Sequence, residues 1–308
     1  MSKQASRRTF LRRTTLASTA ALGGMAGIFS AKKASAVEPV EREVAAPKYK
    51  FTLAGYSYRD LLSGKNPECT LEDFLEDCAE FGLEGTEPTS YYFPPNVSDD
   101  YLRRLKALAF RLGLSISSTA VGNNFCLPPG QARDRQIASV KEWIDHAALL
   151  GAPVIRIFSG RTGKQQTTDE ARRLAIDAIE ECCEYAGRHG IFLGLENHGG
   201  LTNTAENMLK IVRAVESPWF GAWMDTGNFH VKDVYGELEK IAPYTLHVQV
   251  KVATRSPGKG KQPTDYERLA EILDAVGYRG WICLEYEEGQ DPRTACLPHI
   301  KKLRKAFS

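Results

Sequence analysis

Eight apolar runs of β type alternate with amphipathic helical stretches along most of the chain, and this alternation constrains the fold more than anything else. The runs are YKFTLAGYSY (49–58), GLEGTEP (82–88), LSISSTAV (114–121), PVIRIFSG (153–160), IFLGLENH (191–198), FGAWMDTG (220–227), TLHVQVKV (245–252) and WICLEYEE (281–288). Between them lie TLEDFLEDCAEFG, SDDYLRRLKALAFRLG, DRQIASVKEWIDHAALLG, DEARRLAIDAIEECCEYAGRHG, AENMLKIVRAVE, VYGELEKIAPY and DYERLAEILDAVG. Five of these helices end in glycine, at Gly82, Gly113, Gly151, Gly190 and Gly277, the residue that stops a helix before the next strand. Thr70 and Thr264, each followed by acids, read as N-caps. Eight strand–helix units without a break in composition predict a single closed parallel (β/α)8 barrel of the α/β class over residues 49–308. An open doubly wound sheet would carry a glycine-rich dinucleotide fingerprint after its first strand, and there is none. The segment VATRSPGKGKQPTDY (252–266), rich in Gly, Lys and Pro, reads as a mobile loop after the seventh strand.

Residues 1–36 stand apart from this pattern. Paired arginines (Arg7, Arg8) precede Phe10 and Leu11, an Ala/Gly-rich run follows, and Ala34-Ser35-Ala36 gives a small-x-small cleavage site. That is the layout of a twin-arginine secretory signal, so the chain is expected to be exported and periplasmic. The apolar run is interrupted by Thr, Ser and Gly, which argues against a stable membrane span. Residues 37–48 read as a polar leader. The first 36 residues hold seven Lys/Arg and no acid, so of 40 Lys+Arg only 33 remain against 38 Asp+Glu, a formal charge of −5. A mildly acidic barrel gives no reason to expect nucleic-acid binding. The seven cysteines form no CxxC pair and read as small buried hydrophobes; Cys182 and Cys183, adjacent on a helix, face different ways.

In a barrel of this kind the carboxyl ends of the strands build the site. Strands five to eight end in Glu196, Asp225, Gln249 and Glu285, spaced by about one β/α unit each. Three acids and an amide at equivalent heights would repel one another unless something positive sits between them, and a divalent cation is the simplest candidate. The strand-end motifs GLENHGG, WMDTGNF, LHVQVKV and YRGWICLEYE, with TAVGNNF and VIRIFSG earlier, resemble those of the xylose isomerase-like TIM barrels, which include sugar isomerases, ketose 3-epimerases, inosose dehydratase and endonuclease IV.

The resemblance covers essentially all of residues 49–308. It implies a metal held by Glu196, Asp225, the residue at 249 and Glu285, with Glu196 and Glu285 also moving the proton. The chain departs from the family at one of these positions. Where the family writes His-x-His on the seventh strand, this chain has His247-Val248-Gln249, so Gln249 either ligates through its amide oxygen or marks a lost metal site. Residues 247 and 249 share one side of the strand, with His247 one layer deeper. Three carboxylates and an amide oxygen form a hard site that favours Mn²⁺ or Mg²⁺ over Zn²⁺.

Such a site suits a metal-dependent sugar isomerase or epimerase that removes a proton next to a carbonyl and passes through an enediolate. Lys251 continues the series 247, 249, 251 at the rim, where it holds an oxyanion or acts as a base. His198, Arg156, Asn228 and Glu87 are the expected substrate-binding residues. Each has a plainer reading: His198 capping a loop, Arg156 neutralising Glu87 or Glu196, Glu87 orienting Arg156. His230 follows Asn228 as a supporting residue; Tyr56, Tyr58 and Phe125 read as an apolar wall, and Trp223 and Trp281 as barrel packing.

The expected partner is a small carbohydrate without phosphate, since no phosphate-binding loop is visible, and a homodimer is compatible with the sequence. Two further readings stay open: a dehydratase or lyase on inososes or 3-keto-glycosides, and a non-catalytic sugar-binding barrel. A phosphodiesterase like endonuclease IV needs a multi-zinc cluster and a basic face, against which stand six histidines and an acidic balance.

Overall fold

Every apolar run forms a strand and every strand is followed by a helix. In the computed structural model, which describes residues 37–40 and 48–308, the strands are β1 (Lys48–Leu53), β2 (Gly85–Thr86), β3 (Ser115–Ile116, resumed at Thr119–Ala120), β4 (Val154–Ile157), β5 (Phe192–Glu196), β6 (Phe220–Asp225), β7 (Thr245–Lys251) and β8 (Arg279–Glu285). The helices that follow them are α1 (Leu71–Glu80), α2 (Asp99–Arg111), α3 (Gln131–Leu150), α4 (Thr168–His189), α5 (Ala205–Val212), α6 (Val234–Ile241), α7 (Tyr266–Ala275) and α8 (Pro292–Ala306). The expected signal segment 1–36 and residues 41–47 of the expected leader lie outside the described residues.

One parallel sheet runs β1-β8-β7-β6-β5-β4 and ends on the second piece of β3, while the first piece pairs in parallel with β2. Backbone bonds carry the curl on from β1 to β2: Glu84 N donates to Phe51 O (3.1 Å), Glu87 N to Leu53 O (3.0 Å) and Gly55 N to Glu87 O (2.8 Å). This is the TIM-barrel fold in the α/β class. The interruption of β3 falls at Ser117 and Ser118, whose hydroxyls both meet interior partners: Ser117 Oγ donates to Thr86 O (3.0 Å), and Ser118 Oγ to Glu87 Oε2 (2.6 Å). Among the described residues no helix is long and apolar enough to cross a membrane.

Two glycines on the barrel wall make room for two tryptophans, as the packing reading of Trp223 and Trp281 expects. A Cβ on Gly85 would lie 2.7 Å from the Trp281 ring and 2.9 Å from Ser115 O; one on Gly194 would lie 3.0 Å from Trp223. The five expected stop glycines all take left-handed φ, between +61° and +83°. Thr70 caps α1 in a reciprocal box with Asp73. Thr264 does not cap α7. Asp265, one residue on, accepts from Arg268 N, and Thr264 Oγ1 instead donates to Lys251 O (2.6 Å).

The segment expected as a mobile loop is an antiparallel hairpin, Ala253–Ser256 with Gly260–Pro263. It closes through Lys259 N donating to Ser256 O, with Gly258 at φ +80° allowing the tight turn. The run at 49–58 is strand only to Leu53; Gly55–Tyr58 turns into a 3-10 helix. Tyr58 and Phe125 are fully buried, and Tyr58 donates to Asp77 on α1, so both belong to the core. All seven cysteines are free and buried, and burial raises each thiol above its ordinary range. Gly85→Ala should lower the unfolding free energy by about 1–3 kcal/mol, because neither the Trp281 ring nor a strand carbonyl has room to withdraw. Urea unfolding of the wild type and variant at one pH checks this.

Candidate active site

The strand ends that carry the acids are pinned before any acid is placed. Asn197, fully buried just past β5, accepts from Asp225 N (2.8 Å) and donates to Asp225 O (2.8 Å) at the end of β6. Thr226 N donates to Gln249 O (3.0 Å), and Lys251 N donates to Thr226 Oγ1 (2.9 Å). Side chains thus continue the β5–β6–β7 ladder beyond the strands and fix where Glu196, Asp225, Gln249 and Lys251 stand.

Each of the buried acids there has a partner of the chain's own. Arg156 Nε lies 3.1 Å from Glu196 Oε2, and Asn228 Nδ2 donates to Glu196 Oε1 (2.9 Å). The guanidinium is held in turn by Tyr91 Oη (3.3 Å) and Val121 O (3.2 Å) and lies 4.0 Å over the Phe158 ring. Lys251 Nζ lies 2.6 Å from Glu285 Oε2, 2.8 Å from Glu287 Oε2 and 3.6 Å from Asp225 Oδ2. Burial alone would lower the Lys251 pKa, yet the three carboxylates outweigh it and hold the ammonium well above its ordinary value. Asp225 Oδ1 accepts from Gly227 N (2.7 Å), while Oδ2 is buried without a hydrogen bond. Burial, together with the neighbouring Glu196 and Glu285 charges, pushes Asp225 well above the carboxylate range despite Lys251.

Below this layer the interior is polar but electrically quiet. The Gln249 amide oxygen accepts from Trp223 Nε1 (3.0 Å), and the donor-only indole fixes which amide atom faces it. His247 stacks on the same indole, 4.0 Å away and 8° from parallel. Its Nε2 lies 3.0 Å from Ser118 Oγ, which reaches on to Glu87. Burial drives the two titratable groups in opposite directions, Glu87 up to about 8 and His247 down to about 3. The 3.8 Å contact between them is therefore a contact of neutral groups, not an ion pair.

The structure brings Glu196, Arg156 and Asn228 into one cluster and Lys251, Glu285 and Asp225 into another. Glu87 lies deeper, on Ser118, His247 and Cys283 rather than on Arg156. A cavity of about 120 Å³ opens over Lys251, Glu285, Asn228 and His230 beneath the hairpin residues Arg255 and Lys261. A second, of about 250 Å³, holds exposed His198 with Asn123, Phe158 and Arg161. His198 lays its ring on Phe158 at 4.5 Å and has its backbone N–H bonded to Thr202 Oγ1.

The expected metal ligands can be tested for fit. Among the described residues no group of three or more His, Cys, Asp or Glu side chains stands so that it could hold a metal ion. The chain's own Arg156 and Lys251 lie against Glu196 and Glu285, and the Gln249 oxygen is turned to Trp223. This donor set, as arranged, does not fit a divalent ion.

Sequence reasoning missed Glu287, Asn197 and Tyr91. Glu287 was legible, because 283, 285 and 287 continue one side of β8; Tyr91 reaches Arg156 from a loop that carries no periodic signal.

A parallel barrel with its chemistry at the carboxyl ends of the strands is a TIM-barrel architecture. Within that class the chain belongs to the xylose isomerase-like TIM barrel family, whose model matches residues 75–306. It is 26% identical over 179 residues to a putative hydroxypyruvate isomerase of Streptomyces coelicolor, covering 53% of this chain but only 63% of that relative. It is 24% identical over 266 residues to an inosose dehydratase of Clostridium beijerinckii, covering 74% of this chain and 85% of the relative. The fold matches D-psicose 3-epimerase from Clostridium cellulolyticum H10, solved with D-tagatose, at a TM-score of 0.71 and 18% identity over 84% of this chain and 99% of that one. It also matches the IOLI protein, solved with a bound zinc atom, at 0.64 and 18% over 83% and 96%. The relatives thus include a putative isomerase and a dehydratase, and the structural likenesses establish the fold.

A buried carboxyl raised from 4.5 to about 8 stabilises the fold fully below its unfolded pKa, and that contribution is lost as the pH rises through about 8. Glu87→Gln should remove this dependence. The wild type should lose stability relative to the variant between about pH 4.5 and 8, read by urea unfolding across that range.

Proposed function

We propose that this chain is an isomerase or epimerase that moves a proton on the carbon next to a sugar carbonyl, with Glu196 and Glu285 as the two carboxylates that take and return it. The observation that carries this reading is that each of these strand-end glutamates lies against its own cation, Arg156 at 3.1 Å and Lys251 at 2.6 Å. A carboxylate beside a fixed cation can accept a proton from carbon, and Glu285 lines the smaller cavity. The negative charge that then develops on oxygen is stabilised by cations already in place, at no cost of reorganisation.

Asn228 fixes the Glu196 carboxylate from the other side, so that Glu196 has little freedom to turn. His198, Asn123 and Arg161 bind hydroxyls of the substrate in the larger cavity; Asn228 and His230 line the smaller one. The substrate is an unphosphorylated hydroxy-ketone or hydroxy-aldehyde. Residues 1–36 support action after export by the twin-arginine route, in the periplasm. Glu87 supports the site from below through Ser118 and does not touch substrate.

The test is deuterium uptake from D₂O, followed by NMR, with a panel of ketoses, inososes and 3-keto-glycosides. Uptake next to the carbonyl is expected, reduced at least about a hundredfold in Glu196→Gln and in Glu285→Gln. Uptake that survives in both variants overturns the assignment. Loss of water from the product would place the reaction beside that of the inosose dehydratases.

A further inference from the structure

We infer that Lys251 is the resident cation of this site and takes the electrostatic part that a divalent metal would otherwise play, so that the chain works without a metal. The catalytic half of this inference rests on the proposed proton transfer; the claim that the site holds no metal does not.

Position comes first. The Lys251 ammonium touches acids from two strands, Asp225 at the end of β6 and Glu285 at the end of β8, as well as Glu287 beyond β8. It thus stands among the acids at the ends of β6 and β8. An ion bound to Asp225 and Glu285 would have to share their oxygens with a like-charged ammonium.

The fold also builds a channel for this side chain. A Cβ on Gly227 would come within 2.5 Å of Lys251 Cδ and 3.1 Å of its Cβ and Cγ. The bare backbone at 227 is what lets the lysine stem lie flat along the end of β6. Two threonine hydroxyls clamp the backbone of the same residue, Thr226 on its N–H and Thr264 on its carbonyl. A solvated rim lysine requires none of this.

Third, the donor that a metal would need from β7 is committed elsewhere. Gln249 gives its amide oxygen to the Trp223 indole, and what faces Trp223 is a carbonyl oxygen by necessity, since the indole can only donate.

The ammonium also has capacity to spare. Of its three N–H bonds, one is donated to Glu285 (2.6 Å); the Glu287 carboxylate stands 2.8 Å away as an ion pair, and Asp225 at 3.6 Å is beyond hydrogen-bond reach. Donor capacity is thus left for an oxygen in the cavity that Lys251 lines. The step then balances without redox chemistry. The C–H bond breaks and its proton goes to a glutamate carboxylate. The electron pair forms the C=C bond of an enediol(ate), and the carbonyl π pair moves onto the oxygen that Lys251 holds. Return of a proton to the opposite face of the same carbon gives the epimer; return to the neighbouring carbon, with the first carbon's hydroxyl proton passing to the former carbonyl oxygen, gives the isomer.

Metal analysis of the purified full-length chain, expressed with added Mn²⁺ and Zn²⁺, tests the inference without any substrate. Clearly substoichiometric metal is expected, with no rise in melting temperature on adding Mn²⁺, Mg²⁺ or Zn²⁺ and no loss of deuterium uptake after EDTA. A stoichiometric metal atom that is lost in Glu285→Gln overturns it.

Lys251→Gln and Lys251→Arg supply the second arm. Folded Lys251→Gln should lose at least about a hundredfold in exchange rate, with Lys251→Arg recovering part of it. Should Lys251→Gln fail to fold, metal content and EDTA response of the wild type still decide. A metal-free protein with no exchange on any substrate would leave Lys251 as the resident cation and remove the proton-transfer reading. A metal-loaded, EDTA-sensitive exchanger would do the reverse.

Discussion

Carboxylates buried at the ends of adjacent strands must be neutralised from within the fold. That requirement organises the mouth of this barrel. Glu196, Asp225 and Glu285 are almost fully buried, and so is Arg156. A buried charge with no partner costs far more than its hydrogen bonds return, so the acids and cations stand or fall together. The surrounding devices follow from it: the Asn197 clamp, the bare backbone at Gly227 and the threonine hydroxyls on Lys251 all fix one or the other sign of charge in place.

The layer beneath handles the same problem by a different route. Glu87 and His247 have no room for counter-ions, and burial keeps each of them neutral instead. The barrel therefore sets its upper acids against Arg156 and Lys251 and keeps Glu87 and His247 neutral in its depth. Trp223 joins the two layers, with its face on His247 and its N–H on Gln249. A change in the ring would be felt in both.

The barrel was legible because period-2 runs and glycine stops are local signals, read without knowing what packs against what. Gly82 to Gly277 predicted five helix ends, and all five take the backbone conformation that made them predictable. The strand-end acids were legible for the same reason, since spacing alone put them on one face. What neutralises them was not, because spacing records where a side chain starts and not which neighbour it reaches. Lys251 was placed at the rim, yet its contacts with Glu287 and Asp225 depend on the twist between strands. Likewise Arg156 could be assigned to Glu87 or Glu196 from sequence, and only the cross-strand geometry places it on Glu196. The segment after β7 misled because Gly, Lys and Pro are as much at home in a tight hairpin as in a loop.

That hairpin separates two tasks that most of the barrel must perform together. Among the described residues its strands pair only with each other, while Arg255 and Lys261 reach over the cavity and Thr264 at its base steadies Lys251. The tip between those points adds no rung to the barrel. Descendants of this chain could lengthen, recharge or replace it while the acids and their cations stayed where they are. The contacts offered at the mouth would then change with one insertion, and the charged clusters beneath it would be left alone.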